Sequence, residues 1–367
     1  MRIRRLLGAV LALMLLYSAG PLVAQQRGTT AQPAPQTPRP PDPDTVALVQ
    51  MVDAAIVKMP TTQAEDTRQG DIVLNWAAAH FIKGQNGVYV PFTLAFDPSS
   101  VRTSEVALYI RAVQKSQLAA VATALTPPAP GSKPTQAPAV PKYDWDNVHF
   151  LQKPADGRIT RAIALPTGDY ELFIALKERS VAPTAAAANP PGTPTAKSGL
   201  LRHPLQAPDF NKPDLQTSSV IVATTVEPVS GQLTPAEQEA NPYVFGPMRI
   251  VPSKDGRFAK TNELQVIFWV YGASAVAGGK PDVTIDFNFH LKQPDGTEKY
   301  FNKTAPQQLN AQTLPPEFNI AAGHQLPGSL IIPLAPFPAG EYRLEIKVTD
   351  KPSGKVVTQN VTFTVTG

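Results

Sequence analysis

Residues 337–366, FPAGEYRLEIKVTDKPSGKVVTQNVTFTVT, decide the fold of this chain. Over 342–348 apolar side chains occupy every second position with charged ones between them, and over 361–365 valine and phenylalanine alternate with threonine. This alternation is the period of a half-buried β-strand. The turn-forming residues DKPSG at 350–354 separate the two runs, so the stretch predicts an antiparallel hairpin.

An earlier stretch repeats part of this pattern. LPTGDYELFI at 165–174 matches FPAGEYRLEI at 337–346 in its proline, glycine, tyrosine, leucine and isoleucine. A single hairpin is at best marginally stable in water, so a second sheet must cover the apolar face of each copy. We therefore predict an all-β fold of two tandem antiparallel β-sandwiches of the immunoglobulin-like type, with about seven strands each.

The domain boundaries follow from where the strand-like alternation starts and stops. It places the first sandwich at 70–226 and the second at 244–367, joined by a linker at 227–243. Low-complexity inserts rich in alanine, threonine and proline lie at 119–141 and 182–199. Because they have no hydrophobic period, we predict that both inserts are loops of the first sandwich.

The N-terminal segment has the pattern of an export signal. Residues 1–24 begin with Arg2, Arg4 and Arg5, continue through a short apolar run, and end at Ala24 before two glutamines. The run is shorter than the roughly 20 residues that span a bilayer, which favours a cleaved signal peptide over the alternative, an uncleaved anchor. We therefore expect an exported protein, periplasmic or secreted, with no transmembrane span in the mature chain.

Two segments separate this signal from the first sandwich. Residues 25–43 are rich in proline, which predicts a disordered spacer. Residues 44–69 are assigned to a helix and linker, with Asp44 as the helix cap and Pro60 as its stop. The apolar side chains that would share one helical face are Leu48, Val52, Ala55 and Met59. A valine-rich run of this length also fits a strand, and that alternative stays open.

Composition excludes several classes of partner and site. The chain has 33 basic residues against 29 acidic ones, and three of the arginines belong to the signal segment. The mature chain is therefore about neutral, without the clustered basic face that a nucleic-acid partner requires. Cysteine is absent, so apolar cores must hold the domains without disulfides.

Catalytic and cofactor motifs are also missing from the sequence. The five histidines lie far apart, and none belongs to an HExxH motif. No GxSxG elbow, P-loop or Rossmann glycine pattern occurs. We therefore predict a protein that is not an enzyme and holds neither cofactor nor metal. A site assembled from distant carboxylates is the alternative.

Three passages together resemble a known group of exported bacterial proteins. They are the PxGxY strand at 165–172, the passage APDFNKPDLQTSSVIV at 207–222, and the terminal hairpin containing VTDKPSGK. They are similar to the β-sandwich regions of the GWxTD and von Willebrand A-associated group, which implies immunoglobulin-like or fibronectin-like modules over about 70–367. The GWxTD pentapeptide and the Asp-x-Ser-x-Ser metal-adhesion signature are both absent, so the resemblance implies no activity.

One short run has the composition of a ligand site. Within YDWDN at 143–147, Tyr143 and Trp145 could stack on a sugar ring, and the alternating carboxylate and amide oxygens suit Ca²⁺. The alternative is an ordinary transition from loop to strand, with Trp145 folded over the core. The run lacks the glycine and distal glutamate of an EF-hand loop.

The closing strand is the second candidate site. Residues 356–365, VVTQNVTFTV, contain neither charge nor proline, the devices with which proteins blunt an edge strand. If this strand lies at an edge, it can accept a partner strand, with Thr358, Asn360, Thr362 and Thr364 facing solvent. The alternative is that it is paired on both sides or covered by a loop.

Together these patterns favour a non-catalytic interaction or scaffold protein of the cell envelope that binds another protein. A carbohydrate-binding module is one alternative, since sugars stack on exposed aromatic rings. A hydrolase with an unrecognised site is the other.

Overall fold

The computed structural model describes residues 42–62, 64–126, 141–179, 195–231 and 233–367. The predicted signal peptide, nearly all of the proline-rich spacer and most of the two inserts lie outside the described residues. The chain forms two compact units. The first unit comprises the described residues of 42–79 and 86–209, and the second comprises 80–85 and those of 210–367.

The secondary structure of the described residues is mostly β, with three α-helices. The α-helices are α1 (Pro43–Lys58), α2 (Leu118–Leu125) and α3 (Pro235–Ala240). The strands are β1 (Thr67–Gly70), β2 (Asn75–Ala79), β3 (Ile82–Lys83), β4 (Val88–Ala95), β5 (Glu105–Gln114), β6 (Trp145–Gln152), β7 (Arg158–Leu165), β8 (Gly168–Glu178), β9 (Ser198–Ala207), β10 (Gln216–Thr217), β11 (Ile221–Pro228), β12 (Val244–Phe245), β13 (Met248–Pro252), β14 (Arg257–Ala259), β15 (Glu263–Tyr271), β16 (Val283–Lys292), β17 (Glu298–Lys303), β18 (Gln307–Leu309), β19 (Leu326–Pro333), β20 (Gly340–Asp350) and β21 (Lys355–Thr366). No helix of the described part is long and apolar enough to cross a membrane.

The first unit is a sandwich whose larger sheet also carries two helices. That sheet has the order β1-β9-β8-β5-β6, and a smaller sheet pairs β4 with β2 and β7, all antiparallel. Trp76 of the smaller sheet stacks on His203 of the larger one, with ring centroids 4.3 Å apart. Helices α1 and α2 bury Leu48, Val52 and Val121 in a cluster with Phe173 of β8. Strands β5 and β8 are therefore buried on both faces.

The second unit is a sandwich of two sheets. One has the order β14-β21-β20-β16-β17, and in the other β15 lies between β11 and β19. A single apolar cluster joins the two sheets, with Phe268 from β15 and Phe287 and Phe289 from β16. Along β16 and β20, the apolar residues that alternate in the sequence are buried and the polar residues between them are mostly half-buried.

The two units share one core topology. The order β9-β8-β5-β6 in the first corresponds to β21-β20-β16-β17 in the second, and β2-β4-β7 corresponds to β11-β15-β19. The edge strands β1 and β14 differ, because β1 precedes β2 in the chain and is antiparallel to β9, whereas β14 follows β11 and is parallel to β21. Tyr170 and Tyr342 are both buried, and their hydroxyls donate to the carbonyls of Pro166 (3.1 Å) and Pro338 (2.8 Å). The prediction of an all-β fold with two tandem sandwiches is confirmed.

The boundary between the units differs from the prediction. The first sandwich was expected to extend to residue 226, yet β10 and β11 pair with β15 of the second unit. The division falls after Asp209 rather than at 226. This weakly alternating segment pairs with β15 more than 40 residues further along the chain, and no local pattern indicates that pairing. One strand pair, β14 with β21, is parallel rather than antiparallel.

Both predicted inserts are shorter than expected. The insert at 119–141 begins as helix α2, because its alanine-rich start is a good helix former and buries Leu118 and Val121. The insert at 182–199 has already become β9 at Ser198. Glycine, proline, arginine and histidine interrupt the alternation in β9, which hides this strand from a periodicity analysis.

The helix predicted in 44–69 is present as α1. Its cap is Asp42 rather than Asp44, since an Asp42 carboxylate oxygen accepts from the backbone N–H of Asp44 at 2.9 Å. Asp44 instead lies in the first turn and pairs with Lys177 and Arg179. Leu48, Val52 and Ala55 of the predicted apolar face are buried together with Ile56, whereas Met59 follows the helix as its C-cap and is half-buried.

Candidate functional site

The predicted ligand run at 143–147 is built into an internal ion network. The guanidinium of Arg111 on β5 lies 3.9 Å from the ring centroid of Tyr143. Arg111 is buried and donates to the carboxylates of Asp53 on α1 and Asp146 on β6. One face of the Tyr143 ring is therefore already occupied by a cation of the protein itself.

The other polar groups of the run also have internal partners. Asp144 accepts from the hydroxyl of Tyr170 at 3.0 Å and from the side-chain amide of Gln114 at 2.8 Å. Asp146 accepts from the hydroxyl of Tyr109, and this hydrogen bond together with burial raises the pKa of that tyrosine. Trp145 is half-buried. Among the described residues no group of three or more potential metal ligands is found. Ligand binding by Tyr143 and Trp145 stays a prediction.

Sequence analysis missed a buried ion pair on the outer face of the same sheet. Arg202 of β9 donates its Nε to Glu171 of β8 at 3.0 Å, and both side chains are fully buried. The remaining donors of Arg202 bind the carbonyls of Met59 and Thr61, just after α1. The pair therefore fixes the C-terminal end of α1 on the sheet, and nothing in the local sequence signals it.

Two histidines have partners within their own unit. His203 contacts Asp66 at 2.6 Å in the first unit, and His80 contacts the hydroxyl of Tyr243 at 2.7 Å in the second. Burial lowers the pKa of His80 to about 4. His80 is therefore neutral at physiological pH.

The predicted docking strand lies near an edge of the second unit. β21 pairs with β20 along its whole length, whereas β14 covers only its last three residues, 364–366. Thr358, Asn360 and Thr362 are exposed, and Thr364 is half-buried. Thr364 is thus a correction to the predicted row, because β14 occupies the backbone edge at that residue.

The direction of the unpaired backbone groups follows from one hydrogen bond. The N–H of Thr364 donates to the carbonyl of Gly256 at 2.8 Å, away from β20. Backbone groups alternate in direction along a strand, so those of Val356, Thr358, Asn360 and Thr362 point to the same side. Within the described part of the chain, no strand pairs with 355–363 on that side. Just before β14, a Cβ placed on Gly256 would lie 3.6 Å from the carbonyl oxygen of Thr362, so the chain already covers the strand there. We call residues 355–361 the open edge.

The two faces of the open edge differ: one carries two valines with Gln359 between them, whose side-chain amide donates to Thr217 at 2.9 Å, and the other is polar. Val357 and Val361 are half-buried and pack against the core of the second unit. On the opposite face, Asn360 accepts from the guanidinium of Arg343 at 2.7 Å. Binding of a partner strand at this edge stays a prediction.

Comparison with known proteins gives distant structural likenesses only. No protein-family model and no curated protein matches the chain. An immunoglobulin-like protein from Pseudomonas aeruginosa aligns with 12% identity and a TM-score of 0.20, over 40% of this chain and 97% of its own. Trypsin-activated and elastase-activated α-2-macroglobulin from Escherichia coli align with 11% identity each over 83% of this chain, with TM-scores of 0.22 and 0.23. This chain spans only 17% and 24% of those two molecules.

The fold assignment therefore rests on the strand pairing of the chain itself. Both units are immunoglobulin-like β-sandwiches. The resemblance to the GWxTD group has no family match behind it and stays a prediction.

Proposed function

We propose that the protein is a non-catalytic interaction or scaffold module of the cell envelope, which binds an extended segment of a partner protein at the open edge. The observation that carries the proposal is the unpaired side of β21. At an edge strand of this kind, free backbone N–H and C=O groups supply main-chain hydrogen bonds to an added strand.

The opposite edge of the same sheet, formed by β17, is protected against an added strand, which supports β21 as the docking strand. There β17 carries the exposed charges Glu298, Lys299 and Lys303, and a register shift interrupts its pairing with β16. Charge and irregular pairing are devices that prevent a further strand from adding. Within the open edge only Lys355, at its first position, is charged, and this lysine is paired with Asp214.

The cellular location in the proposal comes from the sequence. Residues 1–24 have the pattern of a secretory signal, and the proline-rich stretch that follows would hold the sandwiches away from the site of export. The absence of recognised catalytic motifs supports a binding role over an enzymatic one.

Site-specific photo-crosslinking tests the proposal. A photoreactive residue at Thr358 should form a discrete adduct with one protein of an envelope extract, and Thr362→Lys in the same chain should suppress that adduct. The matched control is Thr225, an exposed threonine on β11 in the other sheet of the same unit. Identical adducts from both positions, or no adduct from Thr358, would contradict the proposal.

A further inference from the structure

The two copies of the repeat differ at the position of the open edge. Tyr170 on β8 lies opposite Leu205 on β9, and Tyr342 on β20 lies opposite Phe363 on β21. Aligning the copies on these two tyrosines makes residues 199–202 of β9 equivalent to 357–360 of β21.

In the first unit this edge is filled. β1 pairs antiparallel with 199–202, from Thr67 opposite Arg202 to Gly70 opposite Gly199. The N–H of Asp71 continues the contact by donating to the carbonyl of Ser198 at 2.8 Å.

The next outward-facing position of β9 is closed in another way. Pro204 is equivalent to Thr362, and proline has no N–H to donate. The second unit has neither device at the equivalent positions. Its edge strand β14 is a different element, which follows β11 in the chain, lies opposite 364–366 only, and is parallel to β21.

From this comparison we infer that the open edge takes an antiparallel partner strand of about four to seven residues, in the place that β1 fills in the first unit; the inference rests on the proposed function. The lower limit is the length of β1 and the upper limit is the space before β14. An antiparallel partner would exchange paired hydrogen bonds with Thr358 and Asn360, whose backbone groups face outward.

The side chains around the open edge specify the chemistry of that strand. A strand added beside β21 would place alternate residues next to Val357 and Val361, which are half-buried against the core, so these residues must be apolar. The residues between them would lie beside Thr358 and Asn360 on the exposed face and should be uncharged and polar. The partner is therefore an extended segment that alternates valine-like with threonine-like residues. Its binding should depend little on salt, because no ion pair is required.

A labelled peptide tests both the direction and the pattern. The probe peptide has a central segment of nine residues in which valine and threonine alternate, and two lysines are added at each end of this segment for solubility. The control peptide has the same composition, but its valines are consecutive. On the purified full-length protein, a nitroxide at the N-terminus of the probe should broaden the amide signal of Thr362 more than that of Val356. A nitroxide at its C-terminus should do the reverse.

Proline substitution supplies the second readout. Asn360→Pro removes one outward-facing N–H without touching the ladder to β20, and should weaken probe binding about tenfold, the equivalent of one lost hydrogen bond. Asn360→Thr keeps that N–H and should bind as the unchanged protein does. Circular dichroism must show the same fold for all three proteins, and if Asn360→Pro is unfolded, Thr362→Pro, which imitates Pro204, takes its place.

The outcomes separate the inference from the proposed function. The reverse broadening pattern would mean a parallel strand, and equal binding of both peptides would mean no alternation requirement; either result overturns the inference. Failure of the probe to bind while Thr358 still crosslinks to one envelope protein also overturns the inference and leaves the function standing. A dimer of the unliganded protein in sedimentation, abolished by Asn360→Pro, would assign the edge to a second copy and overturn it as well.

Discussion

Replacing Tyr342 by alanine should destabilise the second unit by about 3 kcal/mol or more. The ring is 1% exposed and contacts Phe301, Phe337 and Phe363, with centroid distances of 5.2 to 5.6 Å. Truncation therefore removes a large buried aromatic surface and leaves a cavity where three other rings meet. Large aromatic truncations in such cores cost about 3–5 kcal/mol.

Tyr342→Phe separates the hydroxyl from the ring. It keeps the packing and removes only the hydrogen bond to the carbonyl of Pro338, which is worth about 1 kcal/mol. Tyr170→Phe is the matched variant in the first unit. Its single O–H proton is shared between the carbonyl of Pro166 and the carboxylate of Asp144, and because one acceptor is charged the loss should be larger.

Amide hydrogen exchange of β20 in the full-length protein measures the effect, because its slowest amides report the opening free energy of this sandwich. The ratio of exchange rates between variant and unchanged protein converts directly into a difference in that free energy. A change below about 1 kcal/mol for Tyr342→Ala would refute the packing described for this ring.

Three further predictions concern buried and ionisable groups, each measured by urea denaturation. Arg202→Met should cost about 3 kcal/mol, because it removes a cation that contacts the buried carboxylate of Glu171, and the added replacement of Glu171 by methionine should recover part of the loss. The contact with Arg102 lowers the pKa of Glu178 to about 2, so the stabilisation by the ionised Glu178 carboxylate is complete above pH 4.5 and disappears as the pH falls toward 2. Arg102→Met should make stability depend less on pH in this range. Burial lowers the pKa of His80 from 6.5 to about 4, so as the pH falls the unfolded chain protonates this histidine before the folded protein does, and stability declines between pH 6.5 and 4. His80→Gln should remove that decline, and a variant with an unchanged pH profile of stability would contradict this prediction.

The strands that could be predicted are those whose pattern is local. The hairpin of β20 and β21 and the repeat around Tyr170 follow from two-residue alternation and turn chemistry, which a sequence displays directly. The buried hydroxyl partners of the two tyrosines follow from the same repeat. These features recur in both units because the duplicated pattern carries them.

The features that could not be predicted depend on distant partners. Arg202 is buried only because Glu171 and the carbonyls after α1 meet it in three dimensions. The extent of the open edge depends on where three residues of β14 pair with β21, about 100 residues further along the chain. Alternation within β21 indicates a strand, but it cannot indicate which side of that strand is paired.

The open edge is tested most directly by residue-resolved amide exchange across β21 in the isolated full-length protein. The N–H groups of Val357, Gln359 and Val361 face β20 and should exchange slowly, while those of Thr358, Asn360 and Thr362 face outward and should exchange fast. We expect fast and slow exchange to alternate from 356 to 362 and this alternation to end at Thr364, which is paired with β14. Uniformly slow exchange from 356 to 364 would contradict it, because every N–H of the strand would then already have a partner.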